Sequence, residues 1–120
     1  INMTKDLIII GSTGSIGKST LNIVKKNKKK FKIKLLTTNT NIKQIFEQAL
    51  EFKVKKVVIN DKKNFPKFSN LFKKKRIKVY FNIDNALKQI KKKVYFTVSA
   101  ISGIEGLEPT IKCNKVYKKS

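Results

Sequence analysis

The sequence has no histidine and no tryptophan, one cysteine (Cys113), and only 7 acidic residues among 120. A lone thiol closes no intramolecular disulfide. Without histidine or a second cysteine, any metal site would have to rest on carboxylates. A free thiol with no scaffold bridges suits a reducing compartment. Long apolar runs are missing as well: the longest is Leu7–Ile10, and Asn2, Lys5 and Asp6 stand before it. This pattern predicts neither a transmembrane span nor a signal peptide, so a soluble, intracellular chain with no membrane partner is expected. Arginine is nearly absent, Arg76 being the only one, although the formal net charge is +22. Lysine-rich chains bind polyphosphate through counterion release, but phosphate and base readout favour the arginine fork. The joint abundance of Lys, Asn, Ile and Phe is also what a biased genome composition produces. A dedicated nucleic-acid role is therefore not expected.

What remains is a chain with 40% hydrophobic residues, enough for one domain over residues 1–120. Short apolar runs at Leu7–Ile10, Phe31–Leu36, Val57–Ile59, Ile77–Phe81 and Val94–Val98 read as strands. Between them, Ser15–Lys26, Asn41–Phe52, Asn64–Lys75 and Asp84–Lys92 carry apolar residues at helical spacing. Asn82 or Asp84 can cap the fourth helix. Pro109, beside Glu105 and Glu108, suits the first turn of a fifth. Strand and helix in alternation predict a Rossmann-like, doubly wound α/β domain, a mainly parallel sheet with helices on both faces. The lysine runs Lys25–Lys26, Lys28–Lys30, Lys73–Lys75 with Arg76, Lys91–Lys93 and Lys118–Lys119 each follow a predicted helix end. Cations there complement the helix dipole and lie on the edge opposite the ligand crevice.

Three of the 5 glycines fall in one stretch, "LIIIGSTGSIGKSTLNIV", residues 7–24. Read from Gly11 it is G-x-x-G-x-x-G, a dinucleotide-type turn. Gly11 ends the first strand, Gly14 lets the backbone approach a phosphate, and Gly17 lets the first helix pack close to the sheet. Ser12, Thr13 and Ser15 add hydroxyl donors. Read from Ser12 the same stretch is one glycine short of a triphosphate loop, with Lys18 as its lysine and Asp61 as a magnesium ligand. About 20 residues past the loop, where a dinucleotide domain reads the adenosine ribose, stands "LLTTNTNIKQ". It has no acid before Glu47, and this favours NADP over NAD. Thr38, Asn39, Thr40 and Asn41 can donate hydrogen bonds there, or cap the next helix. A third patch, "VSAISGIEGLEPT", brings Ser99, Ala100, Ser102 and Gly103 to the end of the fifth strand. There they would line the crevice.

"GSTGSIGKSTLNIV", followed much later by "SAISGIEGLEPTI", resembles the N-terminal NADPH-binding domain of the 1-deoxy-D-xylulose 5-phosphate reductoisomerase family, from about Lys5 to Ile111. The resemblance implies NADPH as cofactor, a divalent metal (Mg or Mn) in the complete enzyme, and non-mevalonate isoprenoid precursor synthesis. It also implies a homodimer, cytoplasmic or in a plastid-type organelle. Thr13, Gly14, Ser15 and Ile16 fall on the family's pyrophosphate-loop contacts. Asn39, Thr40 and Asn41 fall on its Gly-Lys/Arg-Asn triplet for the 2′-phosphate. Only Asn41 matches, and Lys43 or Lys34 could supply the missing charge. The family's Ala-Asn-Lys-Glu motif, its three metal carboxylates and its substrate-phosphate site come later than "NKVYKKS". No catalytic and no metal-binding residue is therefore expected in this chain, which reads as a fragment or truncated product that is inactive alone. A triphosphate-loop protein, a polyanion binder and a decayed copy that folds without binding remain the alternatives.

Overall fold

The structure is a computed structural model that describes residues 5–90 throughout and the backbone of 96–101 and 110–114. Strand β1 (Lys5–Ile10) runs into helix α1 (Ser15–Lys26), followed by β2 (Phe31–Thr38), α2 (Ile42–Phe52) and β3 (Lys56–Ile59). A 3-10 turn (Phe65–Lys67), α3 (Ser69–Lys74), β4 (Lys78–Tyr80), α4 (Ile83–Gln89), β5 (Phe96–Ile101) and β6 (Thr110–Asn114) complete the described elements. The sheet order is β4-β3-β2-β1-β5-β6. All neighbours are parallel except β5 and β6.

Alternation along the strands divides the core in two, because successive side chains point to opposite faces. Leu7 and Ile9 of β1, with Val57 and Ile59 of β3, pack under Leu21 and Val24 of α1, Ile45 and Ala49 of α2, and Phe72 of α3. Ile8, Leu35 and Val58 face the other way, against Ala86 of α4 and Ile90. Helices therefore cover both faces, as the doubly wound reading expects. Between Leu7 and Ile8 the β1–β2 register slips, pairing Leu7 with Ile33 but Ile8 with Leu35. Lys34 is the extra residue of that bulge.

The helix expected over Asn64–Lys75 is two pieces. Pro66 lies in the 3-10 turn, where its missing N–H is tolerated, and α3 starts afresh at Ser69. Asn82 caps α4, its Oδ1 accepting from the amides of Asp84 (2.7 Å) and Asn85 (3.3 Å). The fifth helix is a correction. Pro109, Glu105 and Glu108 lie outside the described residues, and Thr110–Asn114 is a strand antiparallel to β5, with Ala100 opposite Ile111. Without it the outer edge of β5 would leave a row of backbone donors and acceptors unpaired, and Thr110 and Ile111 are β-branched. Ser102 and Gly103 are also outside the described residues, as are Lys91–Lys93 and Lys118–Lys119.

After β1 the chain moves toward β2, whereas it reaches β5 on the opposite side of β1 and then continues outward to β6. The carboxyl ends of β1 and β5 thus flank a topological switch point, where open α/β sheets place their ligand crevice.

Candidate functional site

At the carboxyl edge, the chain leaves β1 through Gly11 in the left-handed region (φ 77°), a conformation that disfavours any side chain bearing a Cβ. The turn is sewn to β2. The Gly11 amide donates to Thr37 Oγ1 (2.9 Å) and the Ser12 amide to the Thr37 carbonyl (2.9 Å). The Thr13 and Thr38 hydroxyls share a 2.7 Å bond, and Asn41 Nδ2 reaches Thr13 Oγ1 at 3.4 Å. Gly17, on the first turn of α1, packs against the turn so closely that a Cβ would stand 2.2 Å from the Gly11 carbonyl oxygen. Only glycine lets α1 start this near the sheet.

Gly14 is the N-cap of α1, and no side chain caps this helix. The first amides, those of Ser15, Ile16 and Gly17, have no intrahelical acceptor by helix geometry. With the helix dipole they form an anion-attracting end. Gly14 is itself in extended backbone (φ −79°, ψ 173°), which any residue can adopt. Its glycine therefore answers to the space above it rather than to the chain's conformation.

That space is a pocket of about 480 Å³ lined by Ile10, Gly11, Thr13, Gly14, Thr37, Thr38, Asn39, Thr40, Asn41 and Asn60. Among the described residues, no acidic side chain lines it. Asn60, at the end of β3, donates from Nδ2 to Asn39 Oδ1 (2.9 Å), steadying the loop after β2. Asn41 stands at the N-cap of α2 but makes no capping bond, so the capping alternative for this stretch is not what the structure adopts.

Gly11, Thr13, Gly14, Asn39, Thr40 and Asn41 therefore meet around one pocket. Ser15 is exposed and Ile16 half-buried at the start of α1, while Gly17 serves packing. On the backbone, Ala100 lies one residue beyond the Ile10–Ser99 pair that ends β1's alignment with β5. One expectation about hydroxyl donors needs correcting. Ser12 is fully buried, its Oγ donating to Gln48 Oε1 (2.7 Å), whereas Thr13 lines the pocket with its hydroxyl bonded to Thr38 and accepting from Asn41. Ser12 points into the fold because the turn has to satisfy its own polar atoms. Sequence reading missed Thr37, Gln48 and Asn60. Gln48 had a signal: it is a polar residue between Ile45 and Ala49 on the buried face of α2.

Lys18 does not reach this pocket. It lines the groove between α1 and α2 with Asn22, Lys25, Gln44 and Glu47. Asp61 follows β3, two strands from β1, and accepts from the Asn64 amide and side chain. A triphosphate site requires both residues at the loop, and neither is placed there. Of the two compensating lysines, Lys34 lies in mid-β2, four residues before its carboxyl end. Lys43, in the first turn of α2, shares a neighbouring recess with Thr40 and Asn41.

Fold and site together define a Rossmann-like α/β domain whose glycine turn and open helix terminus face the switch-point crevice. The family model described as 1-deoxy-D-xylulose 5-phosphate reductoisomerase matches residues 7–119, and the chain belongs to that family. It is 41% identical over 116 residues to the reductoisomerase of Pelagibacter ubique (strain HTCC1062), covering 95% of this chain and 30% of that protein. To the reductoisomerase of Buchnera aphidicola subsp. Schizaphis graminum it is 37% identical over 110 residues, covering 89% and 28%. The chain thus spans about 30% of the length of the curated relatives it matches. Among solved structures, it is similar to the Zymomonas mobilis reductoisomerase in complex with NADPH (TM-score 0.72, 24% identity, 86% of this chain and 27% of that one). It is also similar to a reductoisomerase in complex with magnesium (TM-score 0.69, 28% identity, 88% and 27%).

Proposed function

We propose that these 120 residues are the NADPH-binding part of a 1-deoxy-D-xylulose 5-phosphate reductoisomerase. One observation carries the reading: the uncapped start of α1, reached through a glycine turn, adjoins a pocket lined, among the described residues, by glycine, threonine, asparagine and Ile10 with no acid. NADPH suits that lining, since its pyrophosphate needs amide donors and its 2′-phosphate would be repelled by the carboxylate that NAD-binding domains place after β2. When bound, the cofactor supplies a hydride. This chain's residues bind and orient it. The amides of Ser15 and Ile16 take the pyrophosphate, Gly14 leaves room for it, and Asn39, Thr40 and Asn41 hold the ribose end. Lys43, which lines a recess with Thr40 and Asn41, provides a cation on that side. Ala100 borders the far side of the crevice.

The divalent metal, the sugar-phosphate substrate, the homodimer and a cytoplasmic or plastid-type location belong to the proposal for the complete enzyme. Residues 1–120 are one domain that holds cofactor and does not turn over substrate. No helix among the described residues is long and apolar enough to cross a membrane.

A binding titration of the chain and its Lys18→Ala variant with NADPH, NADH and Mg-ATP tests this. NADPH is expected to bind tighter than NADH and to add about 2.7 kcal/mol of stability at a hundredfold excess over Kd. Lys18→Ala should change NADPH affinity by less than about threefold, under 1 kcal/mol. Binding of Mg-ATP alone, abolished in Lys18→Ala, would contradict the reading. So would metal-dependent oxidation of NADPH by the 120-residue chain.

A further inference from the structure

We propose that Gln48 is a positioning residue for the cofactor loop: from the buried face of α2 it fixes the Gly11–Ser15 turn so that the first amides of α1 are presented to the ligand. The proposal rests on the NADPH reading above. Gln48 is 8% exposed and Ser12 fully buried. Both ends of the Gln48 amide are used on this one residue. Nε2 donates to the Ser12 carbonyl (2.9 Å), and Oε1 accepts from Ser12 Oγ (2.7 Å), which also lies 3.3 Å from the Thr37 carbonyl.

For stability alone, a leucine among Ile45 and Ala49 would serve this helix face better than a buried primary amide. The amide is needed because the Ser12 carbonyl belongs to a fully buried residue and, among the described residues, no backbone N–H donates to it. Removing Gln48 leaves that carbonyl buried and unpaired. The turn then relieves it by shifting, and α1's first amides shift with it. The same helix touches the turn a second time, through Asn41 on Thr13. The two grips are seven residues, or about 10 Å of helix, apart. Through α2, the loop that holds the pyrophosphate and the segment that holds the ribose are fixed to each other as one unit.

The test uses Gln48→Leu, which removes both bonds at similar volume, and Ser12→Ala, which removes only the hydroxyl arm and spares the bond to the carbonyl. Val58→Ala, in the opposite core, is the stability control. Two readouts are taken: amide hydrogen exchange without ligand, and NADPH affinity. Gln48→Leu should speed exchange at Thr13, Gly14 and Ser15 and weaken NADPH by about tenfold, the size of one net hydrogen bond. Ser12→Ala should show a smaller loss, and Val58→Ala should lower the melting temperature with affinity unchanged. Unchanged loop exchange and affinity in Gln48→Leu overturn the proposal. So does an equal affinity loss in Val58→Ala. If Gln48→Leu fails to fold, Ser12→Ala decides: the proposal fails if its loop exchange and affinity match the parent chain. If the parent chain binds no NADPH, the functional reading fails, while the exchange measurement still decides whether Gln48 holds the loop.

Discussion

Each of the three loop glycines has a different physical reason to be glycine, and substitution separates them. Gly17→Ala forces a Cβ to 2.2 Å from the Gly11 oxygen and 2.6 Å from Ser12 Cα, both backbone atoms that cannot swing aside. It should cost at least the ~1–3 kcal/mol of an overpacked core, seen as a lowered melting temperature together with lost NADPH binding. Gly14→Ala meets no backbone strain, so its melting temperature should stay within about 3 °C of the parent while NADPH affinity falls. A fall in stability without a fall in affinity would remove Gly14 from the binding surface. The packing role of Gly17 was legible from spacing alone, because a strand–turn–helix junction constrains it. The direction of the Ser12 hydroxyl was not. Ser12 read as a ligand donor because a side chain's direction at a turn depends on partners far along the chain, here Gln48, 36 residues away.

At the scale of elements, the helix ends carry a correctable weakness. Lys53 at the end of α2 and Arg76 after α3 both adopt φ 57°, the left-handed conformation that costs a non-glycine residue about 1–2 kcal/mol. Lys53→Gly and Arg76→Gly should each raise the unfolding free energy by about 1 kcal/mol and the melting temperature by roughly 4 °C; chemical denaturation checks the sign, and a loss of stability would contradict the account. With no glycine at either position, these helix ends were read from periodicity rather than from a terminating residue. Strands β1 to β5 and helices α1, α2 and α4 were legible to within a few residues because an apolar period of 2 or 3.6 reports a buried face directly. Two features were not. The break at Pro66 looked like part of one helix, since Phe65, Phe68 and Phe72 keep helical spacing across it. Strand β6 depends on a neighbour's open edge, which local periodicity does not report.

Over the whole molecule, the charge is arranged by the same topology that places the site. Lys25 and Lys26 close α1, and Lys73 and Lys74 close α3, so these cations gather at the amino edge of the sheet, away from the pocket. A net charge of +22 repels itself. Shortening the Debye length from about 10 Å at 0.1 M salt to about 3 Å at 1 M should therefore raise the melting temperature, and a monotonic fall would contradict that arrangement. The central claim is that a dinucleotide's pyrophosphate is held at the start of α1 and its ribose end by the loop after β2. Amide chemical-shift mapping of the ¹⁵N-labelled chain during an NADPH titration tests this most directly. The account predicts the largest shifts at Gly14, Ser15 and Ile16 and at Asn39–Asn41. Shifts confined to Lys25–Lys30 and Lys73–Arg76, or no shifts at all, would contradict it.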